Sequence, residues 1–408
     1  MVLKFNSKIK IFYQNVRGLK TKTNIFFSNM LTCEYDIIIL CESWLADDVL
    51  DSELFSDKYV VYRRDRDPSC FYSDKKGGGG VLIAVSKRLP SRRLAQYESK
   101  CEDLWVCVDI CINRKLEKLI ICSVYFPPPI KSSIFEHFYD SVNKIPYNYC
   151  KKLLVGDFNM KNIRWHGPPG QPLVASAVKD FNLEKMLSEF SAYHNLGQYN
   201  WVTNFQSYML DLVLSSIDVS GLRQSITPLV KIDPLHPALE FEIQCEIADD
   251  SSLHNHEPRF RYFKADYTNI LAELESTHWN DLFSQCSKVD EMVDMFYNTI
   301  RDIIRRYVPI ANSSKNKYPL WYSKSLIKVL NEKNKYRKRY SKYKNPLDDM
   351  TYRLLKERSL KLIQINYKHY LESIESSLTS NPKIFWSFLK QKRNALSCYP
   401  STMLLTTE

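Results

Sequence analysis

Short apolar runs broken by turn residues fill the first 245 positions of the chain. Nine of them lie at 9–15, 36–42, 59–64, 80–86, 104–112, 118–126, 152–159, 210–216 and 238–244. They are rich in Ile, Val, Leu, Tyr and Phe, the residues that suit buried or half-buried strands. Apolar positions at helical spacing predict helices at about 21–33, 132–145 and 176–190. Strands outnumber helices, and neighbours such as LWVCVDICI and KLIICSVYF, joined by NRKLE, read as hairpins. The mixture predicts an α/β domain with sheets packed together, not a repeated βαβ unit.

Near 246–258 the text turns polar (ADDSSLHNHEPR) and periodicity stops, which predicts a linker. Three parts follow: a domain over 1–245, a linker over 246–265 and a basic helical stretch over 266–408. Within the last, 266–276 and 289–307 carry apolar residues three and four apart. Two long Lys/Arg/Tyr-rich helices are predicted at 319–346 and 348–377, broken by NPLDD, and Asn-Pro opens another at 381–391. No internal repeat is visible.

Composition and charge narrow the classes. The 408 residues are 44% hydrophobic and 25% charged, enough apolar content for a core and the wrong balance for a disordered chain. That length suits two or three domains. The net charge of +11 is uneven. Residues 1–250 hold 30 basic and 30 acidic side chains, residues 251–408 hold 27 and 16, and 301–400 hold 23 and 7. A neutral front is joined to a basic rear, which points to a polyanionic partner. No apolar run reaches the roughly 18 residues of a membrane helix, so no membrane partner is expected. The start, MVLKFNSKIKIFYQN, lacks a long apolar stretch and a small-residue cleavage site, and no secretory signal is expected. The eleven cysteines are scattered through strand-like segments without a CxxC pair. They read as free thiols in a reducing compartment, nuclear or cytoplasmic.

Candidate chemistry gathers at strand ends. In LLVGDFN an apolar strand ends at Gly156, and Asp157 and Asn159 follow. Ligands of open α/β sheets bind at the carboxyl ends of strands. A carboxylate there can take a proton from water or hold a metal, and an amide two residues on can position the same water. IFYQN ends in Asn15, IIILCES in Glu42, and KLIICSVYF carries Tyr125 before three prolines. LDLVLSS opens with Asp211, and KIDPLHPALEF places Asp233 and His236 just before a strand. GGGG at 77–80 lacks the Lys and Ser/Thr of a phosphate-binding loop and reads as a hairpin loop.

QNVRGLKTK, CESWL, GGGGVLIAV, SVYFPPP, LLVGDFNMKNIRW, LDLVLSS and DPLHPALEF together resemble the endonuclease/exonuclease/phosphatase superfamily, which includes deoxyribonuclease I and the apurinic endonucleases. More narrowly they resemble the endonuclease domain of Jockey-like LINE (non-LTR) retrotransposons. WYSKSLIKVLNEKNKYRKRY and NPKIFWSFLKQKRN resemble the connector these elements place before reverse transcriptase, whose YxDD motif is absent here.

The resemblance implies a four-layer α/β sandwich, two packed mixed sheets flanked by helices, followed by an α-helical C-terminal region. It implies Mg²⁺-dependent hydrolysis of a DNA phosphodiester, with Mn²⁺ as an alternative ion. The nick would leave a 3′-hydroxyl to prime reverse transcription. Glu42 would bind the metal with support from Asn15. Asp157 would orient or deprotonate water, with Asn159 holding the geometry. His236 would contact the phosphate, Asp211 would fix its ring, and Tyr125 would hydrogen-bond the phosphate. Target DNA, element RNA and a reverse transcriptase in cis are the implied partners. Leu235 departs from the pattern, because the family places an Asp directly before its final His, and the nearest acid here is Asp233.

In NEKNKYRKRYSKYK, Lys335, Arg337, Lys338 and Arg339 alternate with tyrosines. Such a stretch can neutralise phosphates and stack on unpaired bases. Two other readings stand beside the nuclease: a non-catalytic nucleic-acid-binding remnant, and a phosphatase of the same fold.

Overall fold

The structure is a computed structural model. It describes residues 8–31, 33–67, 70–71, 78–112, 115–146, 150–245, 260, 262–284, 286, 288–309, 318 and 321–394. Most of the expected linker lies outside these residues.

The strands, in chain order, are β1 (Lys8–Asn15), β2 (Ile37–Cys41), β3 (Tyr59–Arg64), β4 (Val81–Ser86), β5 (Ser91–Arg93), β6 (Glu102–Ile112) and β7 (Lys115–Tyr125). Then come β8 (Cys150–Asp157), β9 (Ile163–His166), β10 (Val174–Ala177), β11 (Gly197–Gln198), β12 (Asp211–Ser215), β13 (Val219–Gln224) and β14 (Leu239–Gln244). The first sheet has the order β13-β14-β1-β2-β4-β3 and the second β11-β12-β8-β7-β6-β5, while β9 and β10 form a separate hairpin. Both large sheets are mixed: β1–β2 and β7–β8 pair in parallel, and their other neighbours pair antiparallel.

Successive strand side chains point to opposite faces, and that alternation builds three hydrophobic layers. Ile9, Ile11, Ile37, Ile39, Val81 and Ile83 of the first sheet meet Leu104, Val106, Leu119, Ile121, Leu153 and Val155 of the second. The alternate positions Phe12, Ile38, Leu40 and Leu82 face α1 (Thr23–Met30) and α2 (Asp51–Leu54). Trp105, Cys107, Ile120, Leu154 and Leu214 face α3 (Ser132–Asn143) and α4 (Phe181–Tyr193). Helix, sheet, sheet and helix thus form four layers. Both faces of each sheet are covered, which is why the central strands read as unbroken apolar runs. Cys41, Cys101 and Cys122 are buried free thiols within these layers.

Helices follow: α5 (Tyr267–Ser276), α6 (Trp279–Phe283), α7 (Val289–Tyr307), α8 (Lys324–Tyr343), α9 (Pro346–Ser380) and α10 (Pro382–Asn394). The chain divides into two compact units, Met1–Ala248 with Trp321–Glu408, and Asp249–Leu320. The division falls inside the stretch read as one connector. In the second unit, α5 is capped by Asp266 and tied to α7 by an Arg306–Glu273 ion pair, and Trp279 packs on Phe296. In the first, α8 and α9 form a hairpin with Leu326, Leu330 and Ile363 buried. Ser323 caps α8, and Asn345 caps α9 with Pro346 behind it. Arg337 and Lys338 of α8 reach Glu34 at 3.7 and 3.0 Å. Among the described residues no helix is long and apolar enough to cross a membrane.

Candidate active site

Several strands end alike. Their inter-sheet positions are apolar until the last, which is polar: Ile9, Ile11, Tyr13 and then Asn15 on β1, and Leu153, Val155 and then Asp157 on β8. Tyr125 ends the same face of β7, and Asp211 precedes Val213 on β12. Pairing sets these ends in a row, Tyr125 opposite Asp157 and Asp157 opposite Asp211. The two sheets meet here: Asn15 Nδ2 donates to Asp157 Oδ2 at 3.1 Å.

Glu42 follows Cys41, which faces the inter-sheet core, so a straight strand would aim Glu42 the other way. The backbone instead turns left-handed at Glu42, with φ +54°. That conformation is costly for a residue with a Cβ and persists only where the surroundings impose it. Here Gly18 N donates to the Glu42 carbonyl at 2.8 Å, and Ser43 N and Trp44 N donate to the carbonyls of Gly80 and Gly79 at 3.1 and 2.9 Å. The glycine segment is thus the wall that holds the turn. A Cβ on Gly79, at φ +72°, would lie 2.1 Å from Glu102 Oε2, within the Arg66–Glu102 ion pair. The result is that Glu42 Oε1 accepts from Asn15 Nδ2 at 2.8 Å, and its other oxygen from Trp44 Nε1 at 3.2 Å.

His236 enters from the turn before β14, where its N–H donates to the Asp233 carbonyl at 3.0 Å. Its Nδ1 lies 3.0 Å from Asp211 Oδ2, and its Nε2 3.7 Å from Asp157 Oδ2. Tyr13 donates its hydroxyl to Asp211 Oδ1 at 2.6 Å. Asp233 does not serve the ring. It binds Arg17 at 2.7 Å and the backbone N–H of Leu235 at 2.8 Å, so Leu235 in place of an acid leaves Asp211 as the orienting carboxylate.

The electrostatics follow from crowding. Burial pulls the His236 imidazole down, but Asp211, Asp157 and Glu42 outweigh it and hold it up at about 10. Burial raises the Asp157 carboxyl well above the usual range, His236 opposes this, and Asp211 and Glu42 add to it. Burial, with Glu42 and Asp157, raises the Tyr125 phenol, which stays a hydrogen-bond donor. Asn159, left-handed at φ +51°, donates its N–H to Asp157 Oδ1 at 3.1 Å and its amide to the Phe126 carbonyl at 2.9 Å. It braces the ends of β7 and β8 together.

No family model matches the chain, and no curated protein does. Several solved structures resemble it. The endonuclease domain of TRAS1, a telomere-specific non-LTR retrotransposon, is 14% identical over 59% of this chain and 100% of that one, with a TM-score of 0.41. The human Nocturnin catalytic domain is 13% identical over 60% and 96%, with a TM-score of 0.42. An AP endonuclease from Archaeoglobus fulgidus is 13% identical over 58% and 99%, with a TM-score of 0.40. At these figures the likeness assigns no role to any residue here.

Asn15, Glu42, Tyr125, Asp157, Asn159, Asp211 and His236 therefore share one end of the sandwich. Lys335, Arg337, Lys338 and Arg339 lie on α8 and take no part in that group. Lys335 is exposed, Arg337 and Lys338 pair with Glu34, and Arg339 pairs with Asp348 at 3.4 Å. Sequence reasoning missed Tyr13, Arg17 and Trp44. Tyr13 carried a signal, since it occupies the inward position two before Asn15.

Glu42, Asp157 and His236 each offer a ligand atom, all within 4.8 Å of one another. With Asp211, three carboxylates surround one imidazole, an excess of negative charge that a divalent cation offsets. The Glu42 carboxylate fits such an ion, whereas His236, held protonated beside Asp211, does not ligate it. Asn15 presents its nitrogen to Glu42 and Asp157, and so links the two carboxylates.

Proposed function

We propose that this chain is a metal-dependent phosphodiesterase that nicks DNA and leaves a 3′-hydroxyl. The observation that carries the reading is the buried Asp211–His236–Asp157 arrangement, with Glu42 and Asn15 closing on it from the facing sheet. Glu42 would hold Mg²⁺, or Mn²⁺, with Asn15 steadying its carboxylate. When bound, the ion supplies positive charge that offsets charge building on the phosphate and the leaving oxygen.

The chain's own residues supply the rest. Asp157 would orient the attacking water or take its proton. Asn159 fixes that carboxylate through its N–H. His236, charged at neutral pH, presents Nε2–H as a donor to a phosphate oxygen, while Asp211 holds Nδ1–H. Tyr13 in turn steadies Asp211. Tyr125 adds a neutral donor.

The sequence resemblance supports a narrower form of this reading. The nick would prime reverse transcription by a polymerase expected in cis in a full-length retrotransposon. Target DNA would be the substrate, and the basic helices would contact DNA or element RNA.

A supercoiled-plasmid assay tests the proposal. Relaxed circle is expected with Mg²⁺ and none with EDTA. Asp157→Ala should slow nicking by roughly 10²–10⁴-fold, with its fold checked by circular dichroism. Absence of Mg²⁺-dependent nicking by wild type sinks the nuclease reading. Phosphate release from a 3′-phosphorylated strand without nicking would give the phosphatase instead.

A further inference from the structure

Trp44 stands two residues after Glu42 and lies outside the three hydrophobic layers of described residues. Its side chain is 41% exposed, so filling a core does not explain a tryptophan there. The backbone is nonetheless built around it. Trp44 is left-handed at φ +51°, a costly conformation for a residue with a Cβ, and its N–H is held by the Gly79 carbonyl at 2.9 Å. The ring lies against Gly18, where a Cβ would come within 2.7 Å of Trp44 Cε3. Glycine permits that close approach.

This placement aims the indole at Glu42. Nε1 donates to Glu42 Oε2 at 3.2 Å, while Asn15 Nδ2 donates to Oε1 at 2.8 Å. Each oxygen therefore has its own donor, and each keeps a lone pair for an ion. The terminal torsion of a glutamate is broad, so an unbraced carboxylate loses freedom when a metal fixes it. Two donors fix it in advance. Both are neutral, and so they leave the carboxylate the charge that attracts a cation. A lysine or arginine in either place would offset that charge.

We propose that Trp44 is a positioning residue: through its indole N–H it orients the Glu42 carboxylate and raises its affinity for a divalent cation. The inference rests on the metal-dependent reading of the site. Hydrogen bonds that orient a metal-binding side chain are worth roughly 10–100-fold in metal affinity.

The test is Mn²⁺ binding by the full chain without DNA, read from the electron paramagnetic resonance of the free ion. Trp44→Phe keeps a ring against Gly18 and removes the N–H. It should weaken Mn²⁺ binding by roughly tenfold and leave the Tm in EDTA unchanged. In plasmid nicking, the metal concentration for half-maximal rate should rise by the same factor, while the rate at saturating metal matches wild type. Trp201→Phe is the control, because Trp201 is also 41% exposed but donates to the Leu222 carbonyl at 3.1 Å. It should bind Mn²⁺ as wild type does. Equal Mn²⁺ affinity in wild type and Trp44→Phe overturns the inference and leaves the nuclease reading intact. An equal loss in both variants assigns the effect to general loosening and also overturns it. A wild type that neither binds Mn²⁺ nor nicks DNA removes the metal-dependent reading, and the inference with it.

Discussion

His194, at the end of α4, shows how one side chain can set pH behaviour. Its ring is 3% exposed, neither ring nitrogen has a hydrogen-bond partner, and it packs among Tyr139, Phe190 and Tyr193. Burial, then nearby Lys152, lowers it to about 4. Between that value and the ordinary 6.5 the unfolded chain binds more protons than the folded one, so stability rises with pH across the window and is lost as pH falls through it. His194→Phe keeps the aromatic packing and removes the titration. In urea unfolding, its advantage over wild type should grow by on the order of 2 kcal/mol between pH 7 and pH 4. An equal difference at both pH values counts against this account. The same residue scale governs what could be read in the site. Asn15 and Asp157 each continue an apolar alternation into a polar residue, and that pattern is local. Glu42 breaks the alternation and reaches the cluster only through its left-handed turn, which Gly18, Gly79 and Gly80 impose from elsewhere in the chain.

At the scale of elements, the parallel pair β7–β8 carries the row of ends that makes the site. At Gly156 a Cβ would fall 1.9 Å from the Val124 carbonyl oxygen of the neighbouring strand. Backbone cannot yield as a flexible side chain can, so Gly156→Ala must displace Asp157 and its neighbour Tyr125. We expect a loss on the order of 3 kcal/mol in denaturant unfolding, together with slower nicking by the surviving folded protein. Stability within about 0.5 kcal/mol of wild type would refute the close approach. The nine apolar runs all appear as strands, the central β2 and β4 continuously apolar because both faces are buried, and β14 (LEFEIQ) alternating because one face is less covered. The strands β5, β9, β10 and β11 hold two to four residues of mixed character, such as SRR, VASA and GQ. They exist by pairing with a partner, so no periodicity announced them. VASA also explains a shift: α4 was expected from 176, but pairing of β10 delays it to Phe181.

At the scale of the whole molecule, the helical hairpin after Trp321 belongs to the same compact unit as the first 248 residues. The Glu34 ion pairs are half-exposed and contribute little by themselves, and Leu326, Leu330 and Ile363 bury apolar surface in the same unit. Residues 1–248 and 321–408, co-expressed as separate chains, should therefore co-purify without a covalent link. Independent elution in size-exclusion chromatography would contradict a shared unit. The basic charge thereby gains a second use, since Arg337, Lys338 and Arg339 spend part of theirs on acids of their own unit. By itself the sequence determined which positions are buried, which face of each strand they occupy and which polar residues end those faces, because side-chain alternation is a property of local backbone geometry. The resemblance implied Asp211 as the partner of His236, and the tertiary structure is what brings Asn15 and Glu42 to Asp157 and sets Asp211, not Asp233, against the ring. Those meetings depend on sheet pairing and a strained turn, which join residues far apart in the chain.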